Sequence, residues 1–317
     1  MDTVETMDTV DRMDAADTRK RSPATAPRMT VVETVRGMQA WADQARAAGL
    51  RIGFVPTMGY LHEGHMSLVE EARRRADRCV VSIFVNPLQF GANEDLSRYP
   101  RDLERDSAML RAAGVDVLYL PDAPAMYPSG FQTEVSVTRL TRGLCGVSRP
   151  THFRGVTTVV AKLFHTVKPH VAVFGQKDFQ QLAAIERMVA DLDMDVEIVG
   201  APIVREADGL AMSSRNVYLA ADERRAALCL ARAWQAARRR FDEGERNAAA
   251  LLQATRAVIE AEPLARTDYV ELVDRYTLEP IERIERPALL ALAVFIGKTR
   301  LIDNQVLIPL PPGEGQG

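Results

Sequence analysis

The stretch Gly53-Phe54-Val55-Pro56-Thr57-Met58-Gly59-Tyr60-Leu61-His62-Glu63-Gly64-His65-Met66-Ser67-Leu68 decides how the chain is read. A short apolar run breaks at a proline and two glycines and resumes in a helical pattern, which describes a strand, a tight turn and a helix N-terminus. Backbone N–H groups at a helix start have no intrahelical partner, and the helix dipole adds partial positive charge there, so an anion is favoured. His62 and His65 stand three residues apart, which puts both on one face of the first turn, toward whatever those N–H groups hold. Two surface histidines on an ordinary strand–turn–helix are the plainer alternative, since short motifs are weak on their own. A zinc site is a third reading, but no cysteine or further histidine lies nearby to complete a ligand set. The glycine-flanked setting favours nucleotide phosphate.

The whole chain sets bounds on this reading. With 317 residues, 47% of them hydrophobic, it can bury one large core or two smaller ones, and about 150 residues per domain predicts two. A net charge of −3 and an isoelectric point near 6.0 supply no overall basic field, so nucleic acid is not an expected partner. No apolar run reaches the roughly 18 residues needed to span a bilayer, so no membrane association is expected either. Cys79, Cys145 and Cys229 form neither a disulfide framework nor a metal spacing, which fits thiols in a reducing cytoplasm.

Residues 1–28 repeat themselves (Met1-Asp2-Thr3-Val4, Met7-Asp8-Thr9-Val10) and offer little to bury. They are expected to form a disordered extension, with the fold beginning at Met29; an upstream start codon chosen in error would explain the extra residues. A helix is predicted over Met38–Gly49, and another from His65 to Arg78 with Glu70–Arg74 and Glu71–Arg75 pairs on its exposed face. The nearly all-apolar Cys79–Val85 reads as a strand covered on both faces of a parallel sheet. It ends at Asn86-Pro87-Leu88-Gln89, at the strand edge where open α/β sheets bind ligands, so Asn86 and Gln89 are candidate substrate contacts. A helix near Pro100–Ala113 and strands at Val115–Leu120 and Thr133–Val137 follow. Next come a helix over Val156–Val167 and a strand at Val171–Phe174 that runs into the turn Gly175-Gln176-Lys177-Asp178. This second strand–turn–helix corner carries a lysine.

After the strand Val196–Val199, Asp208-Gly209-Leu210-Ala211-Met212-Ser213-Ser214-Arg215 combines a turn with two hydroxyls and an arginine. Beyond Asp222, Ala- and Arg-rich helices run to about Glu260, and strands are predicted near Asp268–Val273, Leu289–Ile296 and Thr299–Leu307. The fold class expected is α/β: a Rossmann-like parallel sheet with helices on both faces over 29–203, and a smaller α+β domain with an antiparallel sheet, acting as a lid, over 204–309. The tail 310–317 is expected to be disordered.

Five segments in order resemble the pantoate–β-alanine ligase family of the nucleotidylyltransferase superfamily. They are Val55–Gly59 with Leu61–His65, Ser82–Phe90, Arg149–Val156, Phe174–Gln181 and Asp208–Asn216. The resemblance spans about Met29 to Ile308. It implies ATP and Mg²⁺ as cofactors, pantoate and β-alanine as substrates, and a homodimer. It places Pro56, Thr57, Met58, Gly59, His62, Gly64, His65, Gly175, Lys177, Asp178, Val204, Met212, Ser213, Ser214 and Arg215 around ATP, with His65 as the active-site histidine. Gln89 and Gln181 would hold pantoate, Asn86, Tyr99 and His152 would line the substrate site, and Asp106 would contact the metal, with Arg105 standing where some members carry Asp.

The implied reaction makes pantothenate through a pantoyl-adenylate, releasing pyrophosphate and then AMP. An ionised carboxylate attacking the α-phosphorus needs no strong base; it needs donors and positive charge against the triphosphate. His62, His65, Lys177, Ser213, Ser214, Arg215 and the helix start are groups of that kind. No residue presents itself as the base for the β-alanine amine. Another nucleotidylyltransferase, a class I aminoacyl-tRNA synthetase and a non-catalytic nucleotide-binding module are the competing readings, the first two through shared histidine motifs.

Overall fold

Strands that are apolar on successive residues need cover on both faces, and the first half of the chain supplies it by alternating strand and helix. The computed structural model describes residues 29–309 apart from Asn93; the expected extension at 1–28 and tail at 310–317 lie outside the described residues. In chain order come β1 (Thr30–Val32), α1 (Val35–Ala47), β2 (Ile52–Thr57), α2 (Glu63–Arg75), β3 (Arg78–Ile83), α3 (Leu103–Ala112) and β4 (Val117–Tyr119). Two short helices, α4 (Ala123–Met126) and α5 (Cys145–Ser148), precede the long α6 (His152–Val167). The alternation resumes with β5 (Val171–Gly175), α7 (Phe179–Asp191) and β6 (Glu197–Ala201). Then follow α8 (Ala221–Ala226), α9 (Leu228–Asp242), α10 (Ala248–Glu260), β7 (Ala265–Asp274), β8 (Ala288–Ile296) and β9 (Thr299–Leu307).

The first six strands form one sheet in the order β1-β4-β3-β2-β5-β6, parallel throughout. Side-chain alternation divides its core. Phe54, Val80, Val117 and Phe174 face α6 with Phe164, while Val55, Val81, Leu118 and Val173 pack with Leu68 and Val69 of α2 and Leu110 of α3. The last three strands form a separate antiparallel sheet, β7-β8-β9. Leu290, Leu292 and Val294 of its central strand pack with Leu230 of α9 and Leu251 of α10. The expected fold class is therefore the observed one.

Some local expectations change. The segment Thr133–Val137 forms no strand. Its central residue takes helix hydroxyls as partners instead: the Val135 N–H donates to Thr158 Oγ1 at 3.0 Å and Thr157 Oγ1 donates to the Val135 carbonyl at 2.6 Å. Helix α2 starts two residues earlier than predicted and stops at Arg75, and Arg74 pairs with Glu71 rather than Glu70. Helix α6 starts at His152 rather than Val156.

The sheet order reverses beside β2: β3 lies on one side and β5 on the other, which makes the gap between β2 and β5 the topological switch point. The pairing of these two strands covers only Gly53–Val171 and Phe54–Ala172, although they run on to Thr57 and Gly175. Proline explains where it stops. Thr57 gives its carbonyl to the Phe84 N–H on the β3 side at 3.0 Å, so by alternation Pro56 turns its backbone toward β5, where it has no N–H to offer. Below the gap, the backbone of α2 approaches β2 so closely that a Cβ on Gly53 would stand 2.8 Å from the Ala72 carbonyl oxygen. Gly53→Val is expected to cost about 2 kcal/mol by overpacking, measured by urea denaturation.

Candidate active site

Both strand–turn–helix corners open on the β2–β5 gap. Of the site residues expected from sequence, all but Gly59, His152 and Asp106 line one cavity of about 220 Å³ there. A wider cleft of about 780 Å³ between the two sheets shares Lys177, Asp178, Gln181, Ser213 and Arg215 with it, and His152 lines that cleft.

The first corner is held in an unusual backbone path, with Gly59 at φ 83° and Tyr60 at φ 50°. A Cβ on Gly59 would stand 2.9 Å from Ile83 Cγ2, so glycine is required by space as well as by φ. Asp106 fixes this turn. It is 1% exposed, and its two carboxylate oxygens accept from the N–H groups of Tyr60 at 2.7 Å and Leu61 at 2.8 Å. Burial pushes its carboxyl above the usual carboxylate range, against those amide bonds. This is the setting of a loop anchor. Among the described residues no three His, Cys, Asp or Glu side chains cluster as a cage for Mg²⁺.

His62 caps α2 in extended conformation and His65 follows at the third helical position, their rings 4.1 Å apart. The His62 N–H donates to His65 Nδ1 at 3.3 Å, so the neutral His65 ring carries its proton on Nε2. A Cβ on Gly64 would stand 2.9 Å from the His62 ring, which explains that glycine. Burial, and then Lys177, lower His62 to about 4. Burial, and then His62 and Lys177, hold His65 well below its ordinary value. Both rings are therefore neutral donors at pH 7, and positive charge falls to Lys177, Arg215 and the start of α2.

Lys177 sits on the short 3-10 turn Gln176–Asp178 after β5. Asn304 of β9 holds this turn by donating its amide to the carbonyls of Gln176 and Lys177, each at 2.9 Å. The Ser213–Arg215 segment is docked on the first sheet's loops: Ser214 Oγ donates to the Tyr60 carbonyl at 3.1 Å, and Arg215 lies over the Tyr99 ring. Arg215 donates from Nε and Nη2 to Asp95, both at 3.0 Å. Ser213 Oγ accepts the Arg215 N–H at 3.3 Å.

Elsewhere in the lining, Asn86 is a buried organiser. Its amide donates to Gln89 Oε1 at 3.2 Å and to the Gly155 carbonyl at 3.0 Å, and its Oδ1 accepts from the Tyr127 hydroxyl at 2.8 Å. His152 donates from Nδ1 to the Gln89 carbonyl at 2.9 Å, and burial followed by Arg149 lowers its pKa to about 4. The neighbouring glutamines part ways. Gln180 bonds through its side chain to Leu140, Gly143 and Cys145, whereas Gln181 lines both cavities with no side-chain hydrogen bond among the described residues.

Residues 30–306 match the model of the pantoate–β-alanine ligase family. The chain belongs to that family. It is 60% identical over 279 residues to the pantothenate synthetase of Heliobacterium modesticaldum, covering 88% of this chain and 99% of that one. Pantothenate synthetase from Thermus thermophilus superposes with a TM-score of 0.83 at 48% identity, over 89% of this chain and all of that one. Pantoate–β-alanine ligase from Francisella tularensis, complexed with β-γ ATP and β-alanine, has a TM-score of 0.72 at 32% identity, over 88% of this chain and 98% of that one. As a family member the chain is a ligase of pantothenate biosynthesis. Sequence reading alone missed Asp95 and Asn304, which hold Arg215 and the Lys177 turn at this cavity. The acidic pair after Gly91 was a visible signal for the first; nothing local pointed to the second.

The anchor role of Asp106 has a measurable consequence. Asp106→Ala is expected to lower stability by about 3 kcal/mol, the scale of losing bonds from two buried amides to a carboxylate, read from urea denaturation; an unchanged midpoint would rule out the anchor role. The buried histidines set a pH dependence. Because His62 and His152 titrate near 4 in the fold against an ordinary value of 6.5, the unfolded chain takes up their protons first, so stability is lost as pH falls from about 6.5 toward 4. Denaturation midpoints at about pH 7 and about pH 5 should show the loss, and His152→Asn should reduce it.

Proposed function

We propose that the chain joins pantoate to β-alanine with cleavage of ATP to AMP and pyrophosphate, through a pantoyl-adenylate. One observation carries this reading: His65, Lys177 and Arg215 line the same cavity as Gln89 and Gln181. The Francisella tularensis ligase complexed with β-γ ATP and β-alanine supports both ligands. Mg²⁺, a cytoplasmic location and a homodimeric state enter the reading from the family resemblance.

In the first step the pantoate carboxylate attacks the α-phosphorus. A new C–O–P linkage forms, the bond to the bridging oxygen breaks, and pyrophosphate leaves with the electron pair. Charge grows on the leaving group, where the His65 Nε2–H, Lys177, the free edge of Arg215 and the α2 N–H groups act as donors that need no reorganisation. In the second step the neutral β-alanine amine attacks the acyl carbonyl, the C–N bond forms as the acyl C–O bond to phosphate breaks, AMP departs with the electron pair, and the nitrogen sheds one proton to bulk water. The wider cleft gives the amine a route to that carbonyl, and holding the pair together can supply several kcal/mol, on the order of the 7–11 available to well-oriented reactants.

The reading divides the chain at 203/204, with the second sheet as the lid. Three contacts support a docked position for the segment it carries: Ser214 to Tyr60, Arg215 to Asp95 and the Tyr218 hydroxyl to the Arg98 carbonyl. Docking there would shield the adenylate from water.

The experiment is AMP release from ATP with pantoate plus β-alanine against either alone; release that does not need both acceptors would overturn the reading. Lys177→Ala and His65→Ala are each expected to slow single-turnover adenylate formation by about 100-fold, the scale of one transition-state donor.

A further inference from the structure

The loop between β3 and α3 brings two adjacent carboxylates into the cleft, and each takes a different arginine. Glu94 Oε1 accepts from Arg149 Nε at 2.8 Å and its Oε2 from Nη2 at 2.5 Å. Asp95 accepts from Nε and Nη2 of Arg215, both at 3.0 Å. The arginines come from separate parts of the fold, Arg149 from the end of α5 and Arg215 from the segment before α8. Both pairs are shielded, with side-chain exposures of 16% and 26% for Arg149 and Glu94 and of 27% and 15% for Arg215 and Asp95.

Each arginine does something further. Arg149 Nη2 also donates to the Gln89 carbonyl at 3.1 Å, beside the bond from His152, so the backbone of Gln89 is fixed from the cleft side. Arg215 lines the small cavity and leaves Nη1 without a partner among the described residues. A guanidinium whose Nε–Nη2 edge is locked by a carboxylate keeps its remaining N–H groups aimed in one direction, so little freedom is lost when they meet an anion. The loop is itself pinned: Glu94 N–H donates to the Gly91 carbonyl, Arg98 N–H to the Asp95 carbonyl, and the Tyr218 hydroxyl to the Arg98 carbonyl. Burial opposes ionisation of both carboxyls, yet the bonds from their arginines hold both below the ordinary range.

We propose that Glu94 and Asp95 are positioning residues, one for each substrate of the adenylation step: Asp95 aims Arg215 at the triphosphate, and Glu94, through Arg149, sets Gln89 for the pantoate. This rests on the reading of the small cavity as the site of ATP and pantoate. It goes further in assigning one short loop to both substrates, through opposite neighbours.

The test uses Asp95→Asn and Glu94→Gln, which keep volume and remove charge. ATP affinity is measured by titration calorimetry, and the KM for pantoate from pyrophosphate–ATP exchange. Asp95→Asn is expected to weaken ATP about tenfold and leave the pantoate KM within about twofold; Glu94→Gln is expected to do the reverse. Adding Asp95→Asn to Arg215→Ala should cost no further ATP affinity. Equal changes in both constants, which a collapsed loop would produce, no change in either, or tighter ATP binding by Asp95→Asn would each overturn the proposal. If either neutral variant fails to fold, Asp95→Glu and Glu94→Asp keep the charge, shift the carboxylate by one methylene and should show the same crossed pattern more weakly. Wild-type protein that does not bind ATP overturns the nucleotide reading itself, whereas wild-type binding with an unaltered Asp95→Asn overturns only this inference.

Discussion

The site depends on a ladder that stops. Were β2 and β5 paired to their ends, the sheet would be closed where the two corners now open. Pairing ends after Phe54–Ala172, and the next residue of β2 is Pro56's neighbour Val55, whose backbone belongs to the β3 side. Pro56 itself faces β5 without an N–H to give. A missing donor in the middle of a sheet is ordinarily a defect confined to edges or bulges. Here it coincides with the switch in strand order, so the cost of a lost bond opens a crevice at the position where two helix-bound turns already converge.

What fills that crevice is electrostatically uneven. The histidines look like cations in the sequence, but burial makes them neutral, and the true cations are few and braced. Arg215 is held by Asp95, and Lys177 has its turn tied to Asn304, with no carboxylate paired to its ammonium among the described residues. On the proposed reading, neutral N–H donors suit a site that accepts a polyanion and then releases fragments of it. Fixed cations on every side would bind the ground state as strongly as the transition state and gain nothing in rate.

The parts of this site legible in the sequence are those in which neighbours in sequence are neighbours in space. The strand–turn–helix at 53–68, the lysine corner at 175–181 and the hydroxyl–arginine segment at 212–215 each carry their own punctuation in glycine or proline, within the segment or just before it. The brackets that hold them do not. Asp95 meets Arg215 across 120 residues and Asn304 meets Lys177 across 127, pairings fixed by strand order and by the register of β9, neither of which any local pattern encodes. The resemblance gives Asp106 a metal contact, while only the fold reveals the two backbone amides on its carboxylate. The segment Thr133–Val137 has strand-like alternation, but its backbone partners are Thr157 and Thr158. Side-chain hydroxyls on a helix can satisfy an extended chain without a sheet.

Two consecutive residues of β9 join these observations. Asp303 is 3% exposed and accepts from Nη1 and Nη2 of Arg205 at 2.7 and 2.8 Å, and Arg205 Nη1 also donates to the Gly209 carbonyl at 3.1 Å. That arrangement fixes the base of the loop leading to Met212–Arg215. Asn304, the next residue, fixes the turn of Lys177. A single strand of the second sheet therefore grips both cationic walls of the cavity, one belonging to each half of the fold. Breaking a buried carboxylate–arginine pair leaves an uncompensated charge, so Asp303 and Arg205 move together or not at all. Displacement of β9 as a lid would carry the Lys177 turn with it or break the two Asn304 bonds. Were the second sheet to open as the lid proposed above, it would therefore disturb the Lys177 wall, the Arg215 wall or both.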